Sequence, residues 1–185
     1  MSIEARIGAN WGRVYLKPTE MHLSDGSPQA VTTVLGSCVS VTFFAPEAGV
    51  GGITHGMLPR EAAGQAGVES GRFVDSGIAW MVRAFARHGF DPGSLEVKLF
   101  GGAQMHETDA SSRTTKSVGR QNVESALETI EELGLRLLVS EVGGSWGRKL
   151  VFFPHSGDVW IKKITRSSLY NGETHGQAAH TRHGR

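Results

Sequence analysis

Apolar residues along this chain recur at two different spacings, which predict both β-strands and α-helices. Short runs rich in β-branched and aromatic residues, bounded by glycine or proline, predict strands at 14–16, 31–35, 39–44, 50–55, 95–99, 135–142, 149–153 and 159–164. Two longer segments, 72–88 and 119–133, have apolar residues at helical spacing. The pattern therefore predicts an α+β domain over residues 1–165, in which two main helices cover a mainly antiparallel sheet.

Both predicted helices have one apolar face. In the first helix this face consists of Val74, Ile78, Met81, Val82 and Phe85. In the second helix the residues predicted to face inward are Val123, Leu127, Ile130 and Leu133, while Glu124, Glu128 and Glu131 face outward. Asn122, near the start of this helix, is expected either to cap it or to contact a partner.

Polar stretches without apolar periodicity predict loops and a tail. Residues 60–71 are predicted to form an exposed loop near the candidate site, where loops often contact substrate. The last part of the chain is polar throughout, so residues 166–185 are predicted to be a disordered tail. This tail contains His175, His180 and His183. Imidazole can bind metals, but a solvated tail is the favoured interpretation.

Composition and charge narrow the classes of function. The 185 residues carry a formal net charge of +1, which predicts no broad attraction to nucleic acid or to an anionic membrane. The sequence has one cysteine, which excludes an internal disulfide and a cysteine-rich zinc site. Its first residues do not resemble a signal peptide, and no run is apolar enough for a spanning helix. A cytoplasmic protein with no cofactor and no membrane insertion is therefore expected.

The one cysteine, Cys38, lies in a Gly36-Ser37-Cys38 turn between two predicted strands. His55 ends the strand that is predicted to pair with the second of these, so the thiol and the imidazole are expected to meet across neighbouring strand ends. Such a pair can carry out cysteine hydrolase chemistry, in which the imidazole removes the thiol proton. Backbone N–H groups of the turn, including those at Gly36 and Ser37, can then hold the oxyanion.

A third group is needed to fix the imidazole tautomer, usually Asp or Asn. Residues 27–59 contain neither, but they contain Thr32 and Thr33, whose hydroxyls can accept a hydrogen bond from the ring. A purely structural interpretation stays open. A lone cysteine among valine and leucine residues is commonly a small buried hydrophobe, and threonine is a common strand former.

These residues resemble a known family. The motifs Thr32-x3-Gly36-Ser37-Cys38-Val39 and His55-x2-Leu58-Pro59 are similar to those of CheD, the chemoreceptor glutamine deamidase of bacterial chemotaxis. The resemblance continues through 101–103, 119–124 and 143–144 and covers residues 10–164. The glycine pairs at 101–102 and 143–144 predict either tight turns or close approach of the backbone to the site.

The resemblance implies a protein-glutamine deamidase with a compact α/β sandwich fold. In this sequence the implied nucleophile is Cys38, the implied base is His55, and the implied third catalytic residue is Thr32, which has the family's offset from the cysteine. The resemblance also implies chemoreceptors as substrates, and a CheC-type phosphatase as a partner that family members can bind.

Other functions stay open on the sequence alone. A papain-like peptidase would cut backbone, and a free-glutamine amidase would need charged groups for the α-amino and α-carboxylate groups of its substrate. A receptor methylesterase could use the same thioester route as a deamidase. In a docking protein that binds a phosphatase or a receptor, Cys38 would have no catalytic role.

Overall fold

The computed structural model describes Ile3, residues 7–61, 71–104 and 117–164, and the strand backbone of Ala178–Ala179. Within these residues the strands are β1 (Gly12–Tyr15), β2 (Met21–Leu23), β3 (Gln29–Leu35), β4 (Val39–Ala45), β5 (Val50–Thr54), β6 (Glu96–Gly101), β7 (Arg136–Val142), β8 (Gly147–Phe153), β9 (Asp158–Ile164) and β10 (Ala178–Ala179). The α-helices are α1 (Val74–Arg87) and α2 (Val118–Glu132), and a short 3₁₀ turn spans Pro92–Ser94.

The strands form two five-stranded sheets, with the orders β1-β3-β8-β9-β10 and β2-β5-β4-β6-β7. Two pairings within the described residues, β1 with β3 and β6 with β7, are parallel, and the others are antiparallel. The predicted α+β class with mainly antiparallel pairing is therefore confirmed. The strands form two sheets, however, where the sequence predicted one sheet covered by helices.

Side-chain alternation along the strands separates two apolar layers. On one face of the second sheet, Val41 of β4 packs in a cluster with residues of α1 and α2. On its other face, Ile53 and Phe100 pack against residues of the first sheet, including Val31 and Leu35. Helices thus cover one side of the second sheet and the first sheet covers the other, so side chains between the two sheets are well shielded.

Helix α1 confirms its predicted face, whereas α2 confirms it only for Val123 and Ile130, which pack against the cluster between the helices and the second sheet. All five residues predicted to form the apolar face of α1 are buried. In α2, Leu127 and Leu133 were predicted to face inward but are 38% and 40% exposed. The buried side of α2 carries polar residues as well as apolar ones, namely Gly119, Asn122, Ser125, Ala126, Thr129 and Ile130. Polar groups can be buried there because loop carbonyls provide hydrogen-bond acceptors.

Several predictions fall outside the described residues. These are most of the 60–71 loop and the 166–185 tail with its three histidines, except for β10. The backbone of β10 pairs antiparallel with β9, through Ala178 opposite Lys162 and Ala179 opposite Ile161. Among the described residues no helix is long and apolar enough to cross a bilayer. The cytoplasmic location stays a prediction.

Candidate active site

Two adjacent strand ends bring Cys38 and His55 together. Cys38 directly precedes β4, and His55 directly follows β5, its antiparallel neighbour. Val39 and Gly56 form a hydrogen-bonded pair, with N···O distances of 3.0 Å and 2.9 Å. In this register Ser40 lies opposite His55, and alternation puts Cys38, Ser40 and His55 on the face between the two sheets. The pairing of β4 with β5 therefore puts Cys38 and His55 at neighbouring strand ends, as the sequence predicted.

The two side chains differ in their exposure. Cys38 is only partly buried, against the apolar cluster between the sheets, and its thiol is free. His55 is 1% exposed. A purely structural cysteine is typically fully buried, so partial exposure favours a thiol that a substrate can reach.

The main chain of His55 is held on its other side by the segment that precedes β2. His55 N donates to Glu20 O at 3.0 Å, and Thr19 N donates to His55 O at 2.9 Å. Thr19 has a φ of +74°, in the left-handed region that a β-branched residue rarely adopts. Such strain persists where the surrounding structure imposes it. Here the strained residue is the one whose N–H holds the carbonyl oxygen of His55.

A hydrogen-bond chain determines the tautomer of His55. His55 Nδ1 lies 2.8 Å from Thr33 Oγ1, and Thr33 Oγ1 donates to the carbonyl oxygen of Leu16, also at 2.8 Å. Because a hydroxyl has a single proton, Thr33 Oγ1 accepts the Nδ1–H bond of the ring. Nε2 therefore carries the lone pair. This buried nitrogen has no hydrogen-bond partner among the described residues, so it is available as a base.

Of the two threonines that the sequence left open, Thr33 contacts the imidazole, whereas the family resemblance had implied Thr32. Along β3, Val31, Thr33 and Leu35 face the layer between the sheets, whereas Thr32 lies on the opposite face, where its backbone pairs with Val151. Thr33 is fully buried. The prediction relied on the offset from Cys38, and in a strand a shift of one residue reverses the face.

The carbonyl groups of the Gly36-Ser37-Cys38 turn are all held from outside the turn. The three bonds are Ala103 N to Gly36 O at 2.8 Å, Asn122 Nδ2 to Ser37 O at 2.9 Å, and Gly102 N to Cys38 O at 2.8 Å. In a trans peptide the C=O and the N–H point in opposite directions. Fixing the first two carbonyls therefore directs the N–H groups of Ser37 and Cys38 away from these donors.

These two N–H groups are candidate oxyanion donors. Neither donates to another group of the described residues. Ser37, which the sequence proposed for this role, offers its own N–H. Gly36 contributes the carbonyl that orients the N–H of Ser37. Donors that are held in place before the reaction stabilise a developing oxyanion without reorganisation.

The two glycine pairs have different roles. At Gly101, with a φ of +109°, a Cβ atom would lie 2.3 Å from Cys38 O, and at Gly102 it would lie 2.3 Å from Val123 Cγ2. The backbone of Gly101 lies against the backbone of Cys38 and leaves no room for a side chain, so close backbone approach explains why this pair is glycine. At Gly143 and Gly144 a Cβ atom would meet nothing within 4 Å, and both φ angles are +72°, as in a tight turn.

Burial keeps both reactive groups neutral. It raises the pKa of the Cys38 thiol above its ordinary value. It lowers the pKa of His55 to about 4, against smaller opposing contributions from the nearby Leu16 backbone and from the charge of Glu20. At neutral pH the site therefore holds a protonated thiol and a neutral imidazole.

We expect the rate of Cys38 alkylation by iodoacetamide to keep rising with pH beyond 9.0, the ordinary pKa of the thiol. A raised pKa lowers the thiolate fraction at every pH below it, and the thiolate is the nucleophile. Mass spectrometry can measure this rate without ambiguity, because the chain has one cysteine. The unfolded protein serves as the control, since its thiol titrates normally. A plateau near neutral pH in the folded protein would contradict this expectation.

Sequence reasoning underestimated one residue at this site. Asn122 was expected to cap α2 or to contact a partner, but the N-cap is Ser117, whose side chain accepts from Arg120 N. Asn122 is instead fully buried and donates to two loop carbonyls. The available signal was the helical spacing of Asn122, Ser125 and Thr129, which puts three polar residues on the buried side.

Comparison with known proteins gives one consistent family. The model of the family described as CheD chemotactic sensory transduction matches residues 57–163. The chain is 42% identical over 154 residues to "Probable chemoreceptor glutamine deamidase CheD 2" of Geobacter sulfurreducens, covering 83% of this chain and 91% of the relative. It is 37% identical to "Probable chemoreceptor glutamine deamidase CheD" of Maridesulfovibrio salexigens, covering 83% and 93%. Among solved structures, it resembles YlmD from Geobacillus stearothermophilus with 19% identity and a TM-score of 0.42, covering 68% of this chain and 51% of that one.

Proposed function

Since the chain belongs to the CheD family, we propose that it is an amidohydrolase that converts glutamine side chains of chemoreceptors to glutamate, with Cys38 as the nucleophile. The observation that carries the chemical part of the proposal is the imidazole of His55. Its Nδ1 proton is bound by Thr33, and its Nε2 is unpartnered among the described residues, on the same face as the thiol.

The first half-reaction forms a thioester. Nε2 of His55 removes the proton of Cys38 as Sγ attacks the carboxamide carbon of the glutamine side chain. The carbonyl electrons move to the oxygen, which accepts hydrogen bonds from the N–H groups of Ser37 and Cys38. When the carbonyl re-forms, the C–N bond breaks, and the proton on Nε2 passes to the leaving nitrogen, which departs as ammonia.

The second half-reaction hydrolyses the thioester. Nε2 removes a proton from a water molecule, whose oxygen attacks the thioester carbon. The C–S bond then breaks, Sγ regains a proton from Nε2, and the product is a glutamate side chain. Throughout both steps the Nδ1–H bond to Thr33 keeps the ring in one orientation and stabilises the imidazolium that forms twice in each cycle.

The proposal is tested by incubating the protein with cytoplasmic fragments of a chemoreceptor and locating converted glutamines by mass spectrometry. We expect conversion at defined sites, together with one ammonia released for each glutamate formed. Cleaved backbone would indicate a peptidase instead. Methanol released from methylated fragments, without ammonia, would indicate a methylesterase. Tight binding of the receptor without any of these products would indicate a docking protein. Binding of a CheC-type phosphatase stays a prediction.

The threonine assignment has its own test. We expect Thr33→Val to lower kcat for deamidation by about 10-fold or more, because the imidazole loses the acceptor that fixes its tautomer. Thr32→Val makes the same chemical change one residue away, on the opposite face of β3. We expect Thr32→Val to retain kcat within about 3-fold, since Thr32 is half-buried on the face of β3 that points away from His55 and valine fills the same space.

Thr33→Ser completes this comparison. It keeps the hydroxyl and should restore most of the activity that Thr33→Val loses. If instead Thr32→Val is the inactive variant and Thr33→Val is active, the third residue is Thr32, as the family resemblance implies.

A further inference from the structure

We propose that Asn122 is a positioning residue that preorganises the oxyanion-binding turn, an inference that rests on the proposed deamidase function. Asn122 lies in the first half of α2 and is fully buried. Its Nδ2 group donates to Ser37 O and to Met57 O, each at 2.9 Å. Ser37 directly precedes the nucleophile, and Met57 follows the base by two residues. One amide group therefore links the segment that carries Cys38 to the segment that carries His55.

The bond to Ser37 acts on the adjacent amide. The peptide that links Ser37 to Cys38 is trans, so holding its carbonyl toward Asn122 fixes its N–H in the opposite direction. That N–H is one of the two candidate oxyanion donors. Without the Asn122 donor, the peptide is free to rotate, and a rotated peptide would present a carbonyl oxygen where the oxyanion needs an N–H.

The amide of Asn122 is held by a well-anchored helix. At Gly119, one turn before Asn122, a Cβ atom would lie 2.6 Å from Ala103 O, so this turn of α2 packs directly on the glycine-rich segment behind Cys38. The residue after Asn122 packs on the same segment, since a Cβ atom at Gly102 would lie 2.3 Å from Val123 Cγ2. Donors on a rigid element hold their acceptors more exactly than donors on a loop.

Stability alone does not explain an asparagine at this position. Its Oδ1 is buried and has no hydrogen-bond partner among the described residues. A buried acceptor without a partner is unfavourable, and such atoms in native proteins call for a reason. Asparagine provides such a reason, because its short side chain donates two N–H groups, one to Ser37 O and one to Met57 O. An aspartate carboxylate has the same shape but no donor, and its charge would lie against two carbonyl oxygens.

The test compares Asn122→Ala and Asn122→Asp with Ser125→Ala. The control removes the half-buried hydrogen bond that Ser125 Oγ, on the same helix, donates to Pro59 O, without touching the Cys38 turn. For both Asn122 variants we expect kcat to fall about 10- to 100-fold, less than for loss of a direct oxyanion donor, with KM changed by less than about 3-fold. For Ser125→Ala we expect kcat within about 2-fold of wild type, even where denaturant unfolding shows a similar loss of stability.

A second readout separates the oxyanion from the thiol. Alkylation of Cys38 by iodoacetamide forms no tetrahedral oxyanion, so the uncharged variant Asn122→Ala should alkylate at nearly the wild-type rate while deamidation falls. Equal losses of alkylation and deamidation would show general distortion of the site and overturn the inference. Full activity of Asn122→Asp would also overturn it. If the wild-type protein alkylates normally but releases no ammonia from receptor fragments, the proposed function itself fails, and this inference fails with it.

Discussion

Replacing Cys38 with alanine will abolish glutamine deamidation and leave the protein folded. The proposed mechanism has no other nucleophile, so we expect the turnover of receptor glutamines to fall by more than about 1,000-fold. Cys38 is partly exposed, so removal of its sulfur creates little cavity. We expect the free energy of unfolding to change by about 1 kcal/mol or less. Ammonia release and denaturant unfolding, measured on the same preparation, check both expectations.

The combination of results distinguishes catalysis from packing. A buried structural cysteine would give an unfolded or strongly destabilised variant, whereas a nucleophile gives a folded and inactive one. Cys38→Ser is the matched variant, because it keeps the size and a hydroxyl in place of the thiol. It should be about as inactive as Cys38→Ala, since a serine hydroxyl is far less acidic than a thiol. A folded Cys38→Ala variant with normal turnover would remove the thiol from the reaction.

Replacing His55 with glutamine should lower kcat by about 100- to 10,000-fold, the range attributed to a general acid–base group. Nε2 has to accept the thiol proton and later deliver a proton to the leaving nitrogen, and glutamine can do neither. His22 provides the matched control. It lies on β2, the strand that neighbours β5, and its Nε2 is bonded to Gln29 Oε1 at 2.8 Å. We expect His22→Gln to retain turnover within about 2-fold.

Titration gives a second consequence of the same substitution. Burial lowers the pKa of His55 from 6.5 to about 4, so between these values the unfolded chain binds a proton that the folded protein does not. Stability is therefore lost as pH falls from 6.5 towards 4. His55→Gln should remove part of this loss, as measured by denaturant unfolding at pH 7 and pH 5. An unchanged pH dependence in the variant would show that His55 titrates normally.

Local patterns were sufficient for features whose physical cause is local. Runs of β-branched and aromatic residues located the strands other than β2 and β10, and the regular spacing of residues such as Ile78 and Met81 identified the buried face of α1. The motif around the single cysteine, together with the later motifs at 101–103, 119–124 and 143–144, is specific enough to indicate the family from the sequence alone. The hairpin between 39–44 and 50–55 put Cys38 and His55 at neighbouring strand ends, because short connections make consecutive strands pair.

Only the tertiary structure decided which polar groups surround these two residues. Thr32 and Thr33 are indistinguishable by residue type, and the face of β3 that meets the second sheet selects Thr33 as the partner of His55. Leu127 is exposed and Asn122 is buried, against their ordinary preferences, because α2 packs on carbonyl groups of loops distant in sequence. Such contacts depend on how two sheets and a helix pack together. The spacing of residues along one segment does not determine that packing, so it could not predict them.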